Sequence, residues 1–419
     1  MMSLKPILRA VARWCGALLL AASGLPALAQ PVGEAAPAGP AVVYSVALTP
    51  RPAGATLALE LSREVDYDVT VLRQPDRIVI DLPKVVFATA AQKPAGKVGP
   101  VAAYRYGLFF ADRSRVVIDL AEPALNDRVD SIEVQGRRRL LFHIGKADRA
   151  RFAAAAGDSV RNRADSVAAI APATVGSVTP AGKRPLVVID PGHGGIDPGA
   201  TTASGEAEKT VVLALALALR QQLEKSGKVE VAMTRDGDTF IALRDRVRFA
   251  RERGAALLLS LHADTLAYEP GVRGASIYTL SEKASDEISQ RLADSENKAD
   301  QVAGLDTPED ESQVGNVLFD LTKRETRHFS IQLARQLAET LPKTTSMHKN
   351  PLRSAGFRVL TAPDVPSALV EVGYLSSAED VKRMLSAEWR GGMATAIAAA
   401  VEKYVGENAT AMTNSGLKP

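Results

Sequence analysis

Four residues, well separated along the chain, have the types and settings that metal-assisted chemistry needs. His193 sits in Leu186–Gly195, LVVIDPGHGG, where a short apolar strand is broken by Asp190-Pro191-Gly192 and the imidazole is presented between glycines. Proline and glycine let the backbone turn without a Cβ in the way, so the ring can face a crevice rather than the core. His262 directly follows the apolar run AALLLSL, and Glu208 opens a long apolar-striped segment beyond the glycine-rich turn. Glu371 lies between Val370 and Val372 in ALVEVGYL, where a buried, unpaired carboxylate is too costly to persist without a metal, a cation or a raised pKa. Each of the other three also has a plain structural reading. Glu208 suits a helix start, and either histidine suits a satisfied core position. Taken jointly, two imidazoles and a carboxylate fit zinc with an open fourth position, and the remaining glutamate fits a general base.

Elements that would converge these residues follow from hydrophobic periodicity. Strands are predicted at Leu186–Asp190, Lys228–Met233, Ala255–Leu261, Ser276–Leu280, Arg358–Leu360 and Ala368–Val372. They alternate with helices predicted over Glu208–Lys225, Leu243–Arg253, Phe329–Leu341 and Ala387–Val405. This order predicts an α/β domain over 184–406, a largely parallel sheet with helices on both faces. Ligands in such sheets collect outside the carboxyl ends of the strands, where His193, His262 and Glu371 fall. An insertion at about 281–328 interrupts the domain and carries a helix over Glu282–Val302. Its stripe of Ile288, Leu292, Ser295, Ala299 and Val302 is narrow and weakly apolar, which by itself describes a solvated surface helix.

Ahead of this domain, 41–146 reads as short alternating runs bounded by Gly, Pro, Asp and Asn, the pattern of an all-β sandwich. Asp76–Pro83, DRIVIDLP, is echoed by Ser114–Ala121, SRVVIDLA, which suggests two similar halves, each supplying strands to a two-sheet sandwich. No constellation of catalytic residue types occurs here, and His143, in an apolar run, fits a satisfied core or edge position. Residues 147–183 are rich in Ala, Pro, Ser and Gly and read as a flexible linker, 30–40 as a disordered leader and 407–419 as a tail.

Composition sets the address. Lys5, Arg9 and Arg13, an apolar middle from Trp14 to Leu25 and the small-residue site Ala27-Leu28-Ala29 make 1–29 a secretory signal peptide, and no transmembrane anchor is expected after its removal. Those three cations are the whole excess of 51 Lys+Arg over 48 Asp+Glu, so the mature chain is charge-balanced and nucleic acid is not an expected partner. The one cysteine, Cys15, leaves with the signal, so no disulfide forms and a metal must be held by His and carboxylates.

Four motifs in order, IDPGHGGIDPGA (Ile189–Ala200), EKTVVLALA from Glu208, SLHAD (Ser260–Asp264) and ALVEVGYLSS (Ala368–Ser377), resemble the zinc-dependent N-acetylmuramoyl-L-alanine amidases of the AmiA/AmiB/AmiC type. The resemblance covers essentially all of 184–406. Ser377 departs from it, since asparagine is usual after YLS. The sandwich resembles the AMIN domain that precedes such enzymes and directs them to peptidoglycan at the division site. The resemblance implies one zinc held by His193, Glu208 and His262, with Glu371 as the essential glutamate. It further implies a periplasmic enzyme that cleaves septal peptidoglycan between N-acetylmuramic acid and L-alanine. In the family's division-site members the insertion's helix lies over the metal and donates a glutamate until a LytM-domain activator of the EnvC or NlpD type moves it. ENKAD (Glu296–Asp300) resembles the segment carrying that acid, which implies Glu296 as an inhibitory ligand. The competing readings are a zinc peptidase cutting within the stem peptide and a wall-binding protein with a degenerate site.

Overall fold

A computed structural model describes residues 39–89, 96–110, 112–156, 184–202, 204–266, 269, 272–305 and 317–414. The signal peptide, and most of the leader and linker expected from the sequence, lie outside the described residues.

The N-terminal part is a sandwich of two sheets. Strands β1 (Ala41–Arg51), β2 (Gly54–Leu61), β3 (Asp68–Leu72), β4 (Arg77–Pro83), β5 (Val85–Phe87), β6 (Val101–Phe110), β7 (Arg113–Leu120), β8 (Ala124–Val134) and β9 (Arg137–Lys146) form it. The five-stranded sheet has the order β5-β1-β2-β9-β8 and the four-stranded sheet β3-β4-β7-β6. Period-2 alternation sends Leu57, Leu59, Leu61, Phe142 and Ile144 inward against Ile78, Ile80, Val116 and Ile118, all essentially without solvent exposure. The echoed segments lie together in the four-stranded sheet. They are the adjacent antiparallel strands β4 and β7, with Arg77 opposite Asp119, Val79 opposite Val117 and Asp81 opposite Arg115. Both faces of these strands are covered, which is why IVI and VVI read as continuous apolar runs. His143 is satisfied, as its surroundings in the sequence suggest, by Thr56 Oγ1 at 3.0 Å and Asp130 Oδ2 at 2.9 Å. Part of the expected linker is ordered: residues 149–156 form helix α1, whose Phe152 and Ala156 pack on Val71.

In the C-terminal part, strands β10 (Leu186–Pro191), β11 (Glu230–Met233), β12 (Leu257–His262), β13 (Ala275–Leu280), β14 (Met347–Ala355) and β15 (Ser367–Glu371) form one sheet. Its order is β11-β10-β12-β15-β13-β14, parallel throughout except where β13 meets β15. Three long helices, α2 (Glu208–Ser226), α6 (Val317–Thr340) and α8 (Ala387–Asn414), cover one face through a core that includes Leu215, Leu219, Leu333, Leu337, Ile397 and Val401. Helix α2 stops at Gly227, whose φ of 68° is the left-handed conformation that ends a helix. The opposite face carries α3 (Leu243–Glu252), α4 (Glu287–Glu296) and α5 (Ala299–Val302), and α7 (Ala378–Met384) follows β15.

Several details differ from the sequence-based elements, and the first is that α8 runs on to Asn414 through residues 407–414, expected as part of a tail. Arg358–Leu360 is a 3-10 turn, and the strand in that region is β14, MHKNPLRSA, polar because it lies at the sheet edge. The helix expected over Glu282–Val302 is two helices, broken where the Asn297 side chain leaves the helical path to bond Gly356 O and Arg358 N, both at 2.8 Å. The stripe is shifted accordingly, with Ala293 and Glu296 buried and Ser295 exposed.

The described residues from Pro40 onward form one compact unit. Phe109 of β6 stacks on Phe240 with ring centroids 5.8 Å apart, and Leu108 O accepts a bond from Ile196 N at 3.2 Å. Leu72, Val79, Phe109, Val117, Ile196, Phe240 and Ala303 make a shared core between sandwich and α/β body.

A candidate metal centre

The β10 strand ends in a turn that is strained at one residue. His193 has φ 57°, a left-handed conformation costly for a side chain with a Cβ, and the surrounding charges fix it there. Arg246 donates to His193 O, Pro191 O and Asp190 Oδ1, each at 2.8 Å, and Arg235 donates to Pro191 O at 3.0 Å and Gly192 O at 2.6 Å. Asp190 is fully buried and also accepts from Thr234 and Ser260. The His193 ring is oriented by Asp197 Oδ2, 2.8 Å from Nδ1, which leaves Nε2 facing the cluster.

Parallel pairing of β10, β12 and β15 puts the other residues at the same sheet end. His262 and Glu371 are register partners in adjacent strands, and Glu208 starts the helix that leaves the glycine-rich turn. His193, Glu208, His262 and Glu296 each offer a ligand atom, and these atoms all lie within 4.8 Å of one another. His193 Nε2 is 3.2 Å from Glu208 Oε2 and 3.5 Å from Glu296 Oε2. His262 Nδ1 is 3.3 Å from Glu208 Oε1 and 3.1 Å from Glu296 Oε2. Four N and O ligands at tetrahedral zinc bond lengths stand roughly 3.3 Å apart, so the residues fit that ion. Two further observations agree. His193 Nε2 and His262 Nδ1 are buried atoms that make no hydrogen bond. Space for the rings depends on glycine: a Cβ on Gly192 would come within 2.3 Å of His262 Cε1, and one on Gly199 within 2.6 Å of His193 Cδ2 and Glu208 Oε2.

Charges in the cluster hold one another. Burial alone would lower the His193 and His262 pKa values, but Glu208, Asp197 and Glu296 raise His193 well above the ordinary range, while Glu296 and Glu208 push His262 up to about 10. Conversely, burial would raise the two glutamates, and the imidazoles instead bring Glu208 well down and Glu296 down to about 2. Glu208 is further fixed by backbone donors, Ala200 N at 2.9 Å and Ala263 N at 2.8 Å.

Glu371 lies beside this group rather than in it. Its Oε2 accepts from Asp264 N at 3.1 Å and its Oε1 is buried without a hydrogen bond. Burial raises its pKa well above the carboxylate range; His262 opposes that, and the charges of Glu208, Asp264 and Glu296 reinforce it. Asp197, Asp190, Arg246 and Arg235 support the site; the sequence marks Asp190 only as part of a strand break and does not single out the other three. Asp197, four residues after His193, stands in a second Asp-Pro-Gly that could have drawn attention to it.

Residues 187–403 match the N-acetylmuramoyl-L-alanine amidase family, and residues 45–143 match the AMIN domain. The chain is 31% identical over 380 residues to N-acetylmuramoyl-L-alanine amidase AmiC of Escherichia coli O6:H1, covering 88% of this chain and 90% of that one. It is 34% identical over 367 residues to AmiC of Neisseria meningitidis serogroup B, covering 83% and 86%. It is also 41% identical over 224 residues to AmiA of Escherichia coli K12, covering 53% and 76%.

Proposed function

The chain belongs to the N-acetylmuramoyl-L-alanine amidase family, and from that premise we propose a zinc-dependent, self-inhibited enzyme of the periplasm that splits septal peptidoglycan. His193, Glu208 and His262 would hold the ion, and the observation that carries the reading is the convergence of their buried ligand atoms, with that of Glu296, to within 4.8 Å of one another. Zinc, when bound, supplies a water of lowered pKa and a polarised substrate carbonyl. Glu371, a buried carboxylate beside the cluster, takes the proton of the attacking water and returns it to the amino group of L-alanine as that group leaves. Asp197 and Arg246 keep the His193 ring and its strained turn in place throughout.

Glu296 is the inhibitory element. A catalytic zinc site keeps a position open for water, and a carboxylate in the fourth place closes it. Activation then requires a partner that binds the form with Glu296 withdrawn better than the closed form, the role expected of a LytM-domain activator. A signal peptide at 1–29 would deliver the chain, and the AMIN sandwich would bind the wall at the septum. Among the described residues no helix is long and apolar enough to cross a membrane.

Purified peptidoglycan tests the reading, with released material identified by mass. Glu296→Ala is expected to raise release of free stem peptides beginning with L-alanine, and Glu371→Gln to abolish it with zinc still bound. His193→Ala and His262→Ala are expected to lose the metal by elemental analysis. Equal release by Glu296→Ala and the parent would overturn self-inhibition; fragments cut within the stem would overturn the bond assigned.

A further inference from the structure

We propose that the sandwich holds the inhibitory helix: the outer face of its four-stranded sheet is a docking surface for residues 299–304, and this contact keeps Glu296 at the cluster. The proposal rests on the self-inhibited reading of Glu296. At the end of α5, Gln301 O accepts from Gly304 N at 2.9 Å within the turn, and three arginines of the sandwich add bonds to this carbonyl and to those that follow it. Arg105 Nε donates to Val302 O at 2.6 Å, Arg115 Nη1 to Ala303 O at 3.0 Å and Gly304 O at 3.3 Å, and Arg77 Nη1 to Gln301 O. Bonds from guanidinium donors to carbonyl oxygens are charge-assisted and stronger than neutral ones.

These arginines are built for the contact. Arg77 and Arg115 are only 1% and 4% exposed, unusual for guanidiniums on the outer face of a sheet. Asp81 holds Arg115 through bonds of 2.6 and 2.8 Å, Asp119 pairs with Arg105, and the Arg115 guanidinium lies 3.5 Å from the Phe109 ring centroid. Gly304 has φ +71° and lies directly on the sheet, where a Cβ would stand 2.9 Å from Val79 Cγ2 and 3.2 Å from Val117 Cγ2. The α/β body grips the same segment from the other side, through Asn297 and through Asp300, which accepts from Leu243 N at 2.9 Å. The sandwich grips after residue 300. Because the Phe109–Phe240 stack and the Leu108–Ile196 bond anchor the sandwich independently, the arginines act from a fixed frame.

The test uses the full chain with Arg77→Ala/Arg105→Ala, leaving the Arg115–Asp81 pair intact, and, from the opposite partner, Gly304→Val. Hydrogen exchange over 287–304 is expected to rise at least about tenfold in both, since the double variant removes two charge-assisted bonds to the segment and the valine side chain meets the sheet, while β2 and β9 stay protected. Stem-peptide release should rise toward that of Glu296→Ala, with no further gain when Glu296→Ala is added. Unchanged exchange over 287–304 in both variants overturns the proposal. So does raised exchange without raised release, if Glu296→Ala does raise it. If Glu296→Ala leaves release unchanged, self-inhibition falls, and exchange alone then decides whether the sandwich holds the segment. Should the double variant lose protection in β2 and β9, Gly304→Val decides alone.

Discussion

At the scale of residues, the centre is a set of ligand atoms supported by charges that never reach solvent. Asp190 and Arg246, 0% and 2% exposed by side chain, form the pair on which the His193 turn rests. Burial would raise Asp190, but the Arg246 guanidinium, with the Thr234 and Ser260 hydroxyls, holds it below the ordinary carboxylate value. A folded-state pKa below the unfolded one stabilises at pH above the unfolded value, and that contribution is lost as pH falls through the folded value. Asp190→Asn is therefore expected to cost about 3–5 kcal/mol in denaturant unfolding at neutral pH, because Arg246 is left buried without its counter-charge. The deficit should shrink below about pH 4. A deficit that stays constant down to pH 2 would remove the ion pair as its cause. His193, Glu208, His262 and Glu371 were legible because each is a polar residue set against an apolar run or a glycine turn. Asp190, Arg235 and Arg246 were not, since arginine and aspartate are mostly surface residues and only tertiary packing reveals these as buried.

At the scale of elements, the reversal of β13 explains how a glutamate far down the chain reaches the metal end. Ser276 of β13 is paired with Glu371, so Leu280 and the insertion leave from the opposite end of the sheet. A helix of ten residues returns about 15 Å, and α4 brings its last residue, Glu296, to the histidines. A carboxylate at a helix C-terminus is disfavoured by the dipole, and α4 has no basic residue in its last turn to offset it. The position is held by the cluster, not by the helix. The opposite end is well capped: Asp286 Oδ1 accepts from Ser289 N at 2.8 Å and from Arg353 at 3.1 Å. Asp286→Ala is expected to cost about 1 kcal/mol of helix stability and to raise basal stem-peptide release. Release equal to the parent's, with exchange in α4 increased, would separate helix fraying from inhibition. The α/β order was readable from periodicity, whereas β14 was hidden by its polar edge composition and the α4–α5 break by side-chain bonds to a distant loop.

At the scale of the whole molecule, the sandwich and the α/β body share buried surface instead of hanging on a tether. The sequence displayed that surface without locating it. The doubled VID segments looked like two halves of one fold, whereas their continuous apolar character arises from a second partner on the outer face. Phe109, 1% exposed, and Phe240, on which it stacks, are the two buried phenylalanine rings of that contact. Phe109→Ala is expected to cost about 3–5 kcal/mol and to split a single calorimetric transition into two, one for each part. One unshifted transition would show that the parts unfold together for another reason.

The arginine contacts on residues 301–304 have a consequence for how this chain can diverge. They address main-chain oxygens, which every amino acid presents alike, so the grip constrains Ala303 and Gly304 by shape and leaves Gln301 and Val302 almost without a sequence requirement. Side chains at those two positions can be exchanged while the main-chain contacts beneath them are kept.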